Sequence, residues 1–319
     1  MSAIDSMTLS MAPMEGITRY LFRNAQAEVF GGFDKYYTPF LSPNMHHHFR
    51  HRESDDIDPK NNAGLTVIPQ IMTNVPEDFL WAAWECAHLG YPEVNLNLGC
   101  PAATVARKTK GSGFLTDLPR LERFLDAIFS ETPVDISIKT RLGWADPAEF
   151  DKVLKLYEQF PVKELIVHAR VREEFYEGEA HRDIYEHALL ETSLPLAYNG
   201  DIFTKEDALT FAEMNPRTTQ LMIGRGMLRN PAIAREIRGG SPMTNAELRE
   251  FYQRVHDGYL AVMENETHVL FKCKELWTYL ITQFPEEKKA AKALKKANKL
   301  AAFDAVVEEL LTSAPLSHR

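Results

Sequence analysis

Short apolar runs recur along the first three quarters of the chain and alternate with longer segments in which apolar residues follow a helical spacing. The runs predict eight strands, at residues 9–14, 35–38, 65–71, 93–98, 135–139, 164–168, 194–198 and 220–223. Helices predicted between them, such as those at 76–89 and 118–130, indicate parallel β-α units. Eight such units match a (β/α)8 barrel or a doubly wound sheet, because the count alone does not separate these folds.

The pattern changes after residue 240, where the remaining segments have helical spacing. Helices are predicted at 245–263, 269–283 and 286–311. We therefore predict two domains, an α/β domain at residues 1–240 and a small all-helical C-terminal domain at residues 241–319.

Chemically reactive side chains and glycines stand at the C-terminal ends of the predicted strands. A TIM barrel brings those ends together around one mouth, where barrel enzymes carry out their chemistry. The distribution therefore favours the (β/α)8 TIM barrel over the doubly wound sheet. The residues are Pro13, Met14, Glu15, Gln70, Asn97, Cys100, Lys139, Arg141, His168, Arg170, Asn199, Gly200, Asp201, Gly224 and Arg225.

Charge gives a mixed indication about nucleic acid. The chain of 319 residues has a formal net charge of −9, which argues weakly against a partner rich in phosphates. Residues 244–319, however, hold eleven basic and eleven acidic side chains, so the excess negative charge lies before them. In the predicted helix at 286–311, one face consists of lysines, and this face is either a solvated surface or a phosphate-binding surface. Its lysines are Lys288, Lys292, Lys295, Lys296 and Lys299.

The cysteines and the N-terminus indicate the compartment. Cys86, Cys100 and Cys273 show no disulfide framework spacing, and the first residues lack a basic segment followed by an apolar core. No apolar run approaches the roughly 20 residues that a membrane-spanning helix needs. We therefore expect a cytoplasmic protein with no membrane partner.

A histidine-rich segment, residues 46–51, raises the question of a metal site. His46, His47, His48 and His51 have neither cysteine partners nor the helical pairing with a carboxylate that is typical of zinc sites. We expect an exposed loop on the barrel rim and no metal.

Two glycine-containing turns predict a phosphate site. The seventh predicted strand ends in Asn199-Gly200-Asp201 and the eighth in Gly224-Arg225-Gly226. Glycines let backbone N–H groups approach an anion, and the loops after strands 7 and 8 bind phosphate in many barrels. Arg225 adds a charge-assisted contact. Ordinary glycine turns are the alternative.

Lys139 and Arg141 alternate by two residues and therefore share a face at the end of the fifth predicted strand. A buried ammonium group needs a partner because leaving it unpaired is costly. The candidates are a Schiff-base carbonyl, a substrate phosphate, the N1–C2=O edge of a flavin, and a carboxylate on a neighbouring strand. The flavin edge becomes anionic on reduction, so a fixed cation there would stabilise the reduced form. If a flavin is the partner, Gln70 would contact its pyrimidine rim and His168 its O2 side.

Cys100 stands at a strand end, before a loop that contains Arg107, Lys108 and Lys110. A thiol of ordinary pKa, about 8.5, is mostly protonated at pH 7 and is a ready acid. Pro101 favours an extended conformation for Cys100. Gly111 and Gly113 predict a loop that moves as a lid.

Six segments together resemble the tRNA-dihydrouridine synthases. They are LSMAPMEGITR, NLNLGCPAATVARKTKGSGFL, IKTRLGW, VHAR, YNGDI and LMIGRGML, which follow one another within residues 9–235. The GCP motif with its downstream Gly-Ser is the most specific of them. APMEG and RLGW resemble the bacterial DusC branch most closely.

The resemblance implies an FMN-binding barrel followed by a helical domain, with tRNA lying across both. It implies that NADPH is the reductant, that the flavin gives hydride to C6 of a flipped-out D-loop uridine, and that Cys100 protonates C5. The uridine at position 16 is the implied target, with positions 17, 20 and 20a as alternatives. The flavin-binding positions of the family match Pro13, Met14, Gln70, Lys139, His168, Asn199, Gly200, Asp201, Gly224 and Arg225.

The resemblance also implies a set of substrate-binding residues. Asn97 and Arg141, with Tyr176 as a weaker match, correspond to positions near the uracil ring, and Lys272 and Lys274 correspond to positions that touch tRNA. The chain departs from the family pattern at His181-Arg182, Met227 and Arg229, which leaves the target uridine open.

Three other functions fit parts of the pattern. A flavin barrel reducing a free pyrimidine or an enone would share the cavity but would not need the basic tail. An aldolase would use Lys139 as its Schiff-base nucleophile. A non-catalytic tRNA-binding chaperone would bind RNA without flavin.

Overall fold

The computed structural model describes residues 3–317, and a parallel sheet lies at its centre. The nine strand segments are β1 (Thr8–Met11), β2 (Lys35–Tyr37), β3 (Val67–Ile68), β4 (Gln70–Ile71), β5 (Glu93–Leu98), β6 (Asp135–Arg141), β7 (Leu165–His168), β8 (Leu196–Asn199) and β9 (Gln220–Ile223). They run in the order β3-β2-β1-β9-β8-β7-β6-β5-β4, so the sheet is a nearly closed ring. The predicted TIM barrel is confirmed.

The strand predicted at 65–71 is divided in two, β3 and β4, at Pro69. Proline has no N–H to donate to a strand ladder, and a ladder therefore breaks at it. The two halves pair with different neighbours, β3 with β2 and β4 with β5. Together they bridge the two ends of the sheet.

Helices surround the strands. The α-helices are α1 (Ala3–Ser6), α2 (Tyr20–Val29), α3 (His51–Ile57), α4 (Pro76–His88), α5 (Ala103–Ala106), α6 (Leu118–Glu131), α7 (Phe150–Tyr157), α8 (Arg182–Glu191), α9 (Lys205–Met214), α10 (Arg225–Arg229), α11 (Ile233–Ile237), α12 (Asn245–Val262), α13 (Glu266–Leu280), α14 (Lys288–Lys296) and α15 (Leu300–Ser313). Short 3-10 turns lie at Pro59–Asn62, Gly111–Thr116, Pro147–Glu149 and Ile281–Gln283. Within residues 3–317, no helix is both long enough and apolar enough to cross a bilayer.

Helix α6 illustrates how local sequence forms these elements. The carboxylate of Asp117 caps its start by accepting from the N–H of Arg120. Leu121, Phe124 and Ile128, spaced by three and four residues, are buried against the barrel. The exposed positions between them are polar, so one stripe of the helix fixes its orientation.

The barrel interior is filled by a separate small cluster of apolar side chains. These are Ala12, just after β1, with Tyr37, Ile68, Ile166, Ala197 and Met222, which come from β2, β3, β7, β8 and β9. Because they fill the barrel, open space remains only at its ends. Ala12 and Met222 form part of the floor of the cavity described below.

The C-terminal helices dock on the barrel through α12, which packs against α2. The ring of Phe251 lies 5.2 Å from that of Phe22 in an edge-to-face arrangement. Gly258 allows the close approach, because a Cβ at this position would stand 2.8 Å from a methyl group of Leu21.

The single helix predicted at 286–311 is wrong, because the structure contains two helices, α14 and α15. Leu294 and Leu300 are both buried, although residues six apart on one helix point about 120° away from each other. Extended backbone at Ala297 and Lys299 separates the helices and brings both leucines into the core. The predicted lysine face is therefore corrected: Lys299 precedes α15, and only the other four lysines belong to α14.

Candidate active site

A cavity of about 400 Å³ opens at the C-terminal ends of the strands. Strand register brings the functional side chains together in two adjacent rows, because Asn97 lies beside Lys139, and two residues further along Arg141, His168 and Asn199 are successive partners. The cavity is lined by every predicted cofactor residue, by the predicted catalytic cysteine and by three predicted substrate residues. They are Pro13, Met14, Gln70, Asn97, Cys100, Lys139, Arg141, His168, Tyr176, Asn199, Gly200, Asp201, Gly224 and Arg225.

A chain of buried amides leads to Cys100. Gln70 donates to the side-chain oxygen of Asn95 (2.8 Å), and Asn97 donates to the side-chain oxygen of Gln70 (2.7 Å). The side-chain oxygen of Asn97 then accepts from the backbone N–H groups of Gly99 and Cys100, each at 3.0 Å. Because each amide is oriented by the next, the backbone that carries the thiol is fixed to the barrel wall.

The loop after Cys100 folds back onto it. Ser112 donates from its hydroxyl to the Cys100 carbonyl oxygen at 2.8 Å. Gly111 has a φ of 55°, and a Cβ there would stand 2.9 Å from the same oxygen. At Gly113 a Cβ would stand 2.3 Å from the carbonyl oxygen of Ala106. The glycines are therefore required for close packing, a reason that the sequence analysis missed.

The environment keeps Cys100 an acid. Burial raises the pKa of its thiol, and the carboxylate of Glu15 acts in the same direction. A hydrogen bond from the Ala102 N–H and the positive charges of Arg141 and Lys139 oppose this without reversing it. The thiol is therefore protonated at neutral pH and has a proton to donate.

Lys139 has no carboxylate partner within 4.0 Å in the described part of the chain, and its ammonium group donates to the side-chain oxygen of Asn199 at 2.9 Å. Asn199 is oriented by donating to the backbone oxygen of Met222 at 2.9 Å. Burial, and then the charge of Arg141, lower the pKa of Lys139 to about 7, while Cys100 opposes the change. The site therefore lacks an anion that would stabilise this cation.

Arg141 is held by backbone carbonyls. Its Nε donates to the oxygen of Gly99 (2.9 Å), Nη1 to that of Val171 (2.8 Å) and Nη2 to that of Phe175 (2.7 Å). Burial lowers the pKa of Arg141 to about 10, so it is still charged at neutral pH. Since all three acceptors are neutral, none of them neutralises the positive charge of Arg141 in the cavity.

His168 is a neutral acceptor in the cavity wall. Burial, followed by the charges of Arg141 and Lys139, holds its pKa well below the usual value. Nη1 of Arg170 lies 3.4 Å from Nε2 of the ring. Arginine only donates, so Nε2 accepts and the proton is assigned to Nδ1.

Asp201 is ionised and shared by two arginines. Arg170 and Arg225 each donate to one of its oxygens, the second at 2.8 Å. Burial works to raise the pKa of Asp201, but the hydrogen bonds and charges of the two arginines outweigh it and hold the pKa below the usual value. Arg225 is thereby fixed beside Gly224, in the loop where the sequence predicts phosphate binding.

Tyr176 forms an aromatic surface at the cavity mouth. Its ring, 44% exposed, lies with its centre 5.4 Å from the guanidinium carbons of both Arg141 and Arg225. Two cations against one ring hold it in place while leaving it accessible.

Two cavity residues that the sequence did not predict, Glu275 and Tyr279, come from α13 in the helical region. Lys272, predicted to touch tRNA, lies outside the cavity and donates to the backbone oxygen of Gly16 at 2.9 Å and to Glu275 at 2.7 Å. Lys274 donates to the backbone oxygen of Lys295 at the end of α14 (3.0 Å). Helical spacing alone gives no indication that α13 reaches the barrel mouth.

His46, His47 and His48 lie on an exposed loop, as predicted. The prediction is wrong for His51, which begins α3 and has the helical pairing with a carboxylate, since its Nδ1 lies 3.2 Å from Oδ2 of Asp55. The described residues contain no group of three or more His, Cys, Asp or Glu side chains arranged to hold a metal ion.

The residues of the cavity fit a flavin phosphate. Its cations exceed its anions, because Lys139 and Arg141 have only neutral partners whereas Asp201 is already shared by two arginines. A ligand with an anionic ring edge and a phosphate would supply the missing negative charge. The volume of about 400 Å³ lies within the range of about 300–1,000 Å³ usual for such sites.

A parallel barrel with a cationic, thiol-bearing cavity at its mouth defines a barrel enzyme, and comparison with known proteins gives the family. The family model for dihydrouridine synthase (Dus) matches residues 10–314. The chain therefore belongs to the dihydrouridine synthase family, and the prediction of a flavin-dependent oxidoreductase of this family is confirmed.

Individual relatives agree with this assignment. The tRNA-dihydrouridine(16) synthase of Pseudomonas syringae is 29% identical over 77% of this chain and 83% of its own length. The tRNA-dihydrouridine synthase B of Pasteurella multocida is 29% identical over 70% of this chain and 67% of its own. Morphinone reductase shares the fold, with a TM-score of 0.53 and 12% identity over 76% of this chain and 88% of its own.

Proposed function

We propose that the protein reduces the C5=C6 bond of a uridine in the tRNA D-loop to 5,6-dihydrouridine. The observation that carries the proposal is the protonated thiol of Cys100 in the same cavity as the unpaired cations Lys139 and Arg141. Family membership supports the reaction class, and the names of the relatives support tRNA as the substrate. Aldolase and chaperone functions do not agree with this family.

We propose FMN as the cofactor and NADPH as the reductant. The phosphate would lie at Gly224 and Arg225, and the pyrimidine edge of the ring near Gln70, Lys139 and His168. The chemistry that FMN supplies when bound is hydride transfer to C6 of the uracil. Pro13, Met14, Asn199, Gly200 and Asp201 complete the proposed cofactor site.

The proposed acid is Cys100, which donates its proton to C5 of the uracil. Asn97 holds the cysteine backbone by two hydrogen bonds and, with Arg141, lies where the uracil carbonyls would arrive. Tyr176 provides a surface on which the extruded ring stacks. The thiolate left behind is stabilised by the charges of Lys139 and Arg141.

The two predicted domains have different proposed roles. We propose that residues 1–240 form the catalytic domain and residues 241–319 a tRNA-binding domain, with Lys272 and Lys274 among its contacts. Extruding a base costs a few kcal/mol, which phosphate contacts from α14 and from the Arg107–Lys110 loop would offset. The three free thiols agree with a reducing cytoplasm.

We propose position 16 as the target, because one relative is named for that uridine. Positions 17, 20 and 20a are the alternatives. Mapping dihydrouridine in tRNA from a strain that lacks the protein decides among them, and loss at position 16 alone is the expected result.

The test of the activity uses the purified, flavin-loaded protein with NADPH. We expect dihydrouridine to form in an unmodified tRNA transcript and not in free uridine. Equal turnover of free uridine or of a simple enone would show instead a small-molecule reductase. A purified protein that neither contains nor takes up flavin would contradict the proposal.

A further inference from the structure

One feature of the sequence has no role in the proposed reaction, namely the basic run at residues 46–52. Six of its seven side chains are histidine or arginine and are exposed, whereas Phe49 is buried. We call these residues the rim segment. An isolated charged loop is usually only solvated, so its order and its neighbours decide whether it has a function.

The rim segment is anchored at several points. Phe49 packs on Trp81 of α4 with ring centres 4.6 Å apart, and the His47 ring stacks parallel to the same indole at 5.3 Å. Arg19 donates to the backbone oxygen of Arg52 at 2.9 Å. The cationic side chains therefore extend from a fixed backbone, which lowers the entropy lost when they bind a ligand.

The rim segment adjoins the cavity. Nη2 of Arg52 lies 3.4 Å from Oε1 of Glu15, and Glu15 lines the cavity, as do Pro39 and Phe40 of the same connection. A base that enters the cavity therefore brings its own strand close to this segment.

The rim segment also adjoins the basic loop after Cys100. Nε2 of His47 lies 3.9 Å from Oδ1 of Asp78, and the charge of Asp78 acts on Lys110, partly offsetting the lowering of its pKa by burial. Asn74, just before α4, donates to the backbone oxygens of Lys108 and Thr109 at 3.0 and 3.2 Å. The two basic stretches thus meet at the start of α4 and form one surface.

The surface is cationic despite the acidic chain. The carboxylates that face the rim segment are Asp78 toward His47, Asp55 toward His51, Glu15 toward Arg52 and Glu53, which accepts from the backbone of Arg50. Within residues 3–317, no carboxylate lies within 4.0 Å of the side-chain nitrogens of Arg50, Arg107 or Lys108. An exposed set of unpaired cations on a fixed backbone is suited to phosphates spaced along a polynucleotide.

We propose that the rim segment, with the Arg107–Lys110 loop, forms a second tRNA-binding surface that contacts backbone phosphates beside the cavity, separate from α14. The inference rests on the proposed tRNA substrate.

The test measures binding of an unmodified tRNA transcript to the flavin-loaded protein without NADPH, at pH 7.5 and over a series of salt concentrations. The variant combines His46→Gln, His48→Gln, Arg50→Gln and His51→Gln, and leaves Arg52 and the stacked His47 intact. The control combines Arg123→Gln and His187→Gln, exposed side chains on α6 and α8.

We expect the variant to bind about threefold more weakly, with a salt slope reduced by about 0.7–0.9 per lost phosphate contact. The control stays within about twofold of the native protein. If the fourfold variant fails to retain flavin, His48→Gln with Arg50→Gln carries the test and gives about half the logarithmic loss.

Equal affinities of variant and control would overturn the inference and show a merely solvated loop. A native, flavin-loaded protein that does not bind tRNA at all would contradict the proposed function itself, which is a different result.

Discussion

The cavity and helix α14 both concentrate positive charge, but they hold it differently. In the cavity, Lys139 and Arg141 are bonded to amide and backbone oxygens, each in one geometry. On α14, the lysines are exposed, and no carboxylate in residues 3–317 lies within 4.0 Å of their ammonium groups. The α14 lysines are Lys288, Lys289, Lys292, Lys295 and Lys296.

The difference shows how one kind of charge serves two purposes. A cation fixed in a buried site acts at short range and in a low dielectric, so it stabilises charge at one atom of a ligand. A mobile surface cation acts through solvent, is screened by salt and does not distinguish one phosphate from another. We therefore expect changes in the cavity to alter the reaction and changes on α14 to alter only RNA affinity.

The largest effect is expected for Lys139→Met. Removing the cation should slow reduction of the bound flavin by NADPH about a hundredfold, because one preorganised charge is lost. The flavin-free protein should be no less stable, since a buried ammonium with a pKa lowered to about 7 is costly to hold. Stopped-flow absorbance and thermal unfolding measure the two effects.

Lys152→Met, on the exposed face of α7, is the matched control and should change neither quantity. An unchanged reduction rate with full flavin content in Lys139→Met would remove the role assigned to this lysine.

The next effect is expected for Asp201→Asn, which leaves the buried Arg170 without its carboxylate. We expect a loss of about 2 kcal/mol in the free energy of unfolding at pH 7, as for other hydrogen bonds to charged groups. The pKa of Asp201 is lowered in the folded state, so its contribution is present above the unfolded value of 3.8 and disappears as the pH falls through the folded pKa.

Denaturant unfolding of both proteins from pH 7 to pH 3 measures this. The exposed Asp183→Asn on α8 serves as control. A difference between native protein and Asp201→Asn that stays constant down to pH 3 would show that the charge of Asp201 is not the cause.

The smallest effect is expected on α14. The double variant Lys292→Gln and Lys296→Gln should weaken tRNA binding several-fold and reduce the salt slope by about 1.5, while flavin reduction stays unchanged. Lys152→Gln with Lys155→Gln on α7 is the control. Unchanged affinity would show that α14 is only a solvated surface and that its lysines do not bind RNA.

Much of the site is predictable from the sequence, because parallel strands place their C-terminal ends at one mouth. Once the strands are located, residues such as Gln70, Cys100, Lys139 and His168 must meet, and the structure brings them together. The apolar pattern that locates the strands is local, so reading it needs no knowledge of tertiary contacts.

The rest depends on contacts distant in sequence. Glu275 and Tyr279 reach the cavity because α13 packs both on α12, which docks on α2, and on α10 at the end of the barrel. The break between α14 and α15 arises because Leu294 and Leu300 both have to reach the core. Local hydrophobic periodicity predicts neither of these contacts.

The central claim is that Cys100 supplies the proton, in a step separate from reduction of the flavin. Anaerobic half-reactions of Cys100→Ala test it most directly. We expect NADPH to bleach the flavin absorbance at the native rate, and added tRNA to restore it at least about a hundredfold more slowly than in the native protein. Restoration at the native rate would contradict the account, because the proton would then come from another group.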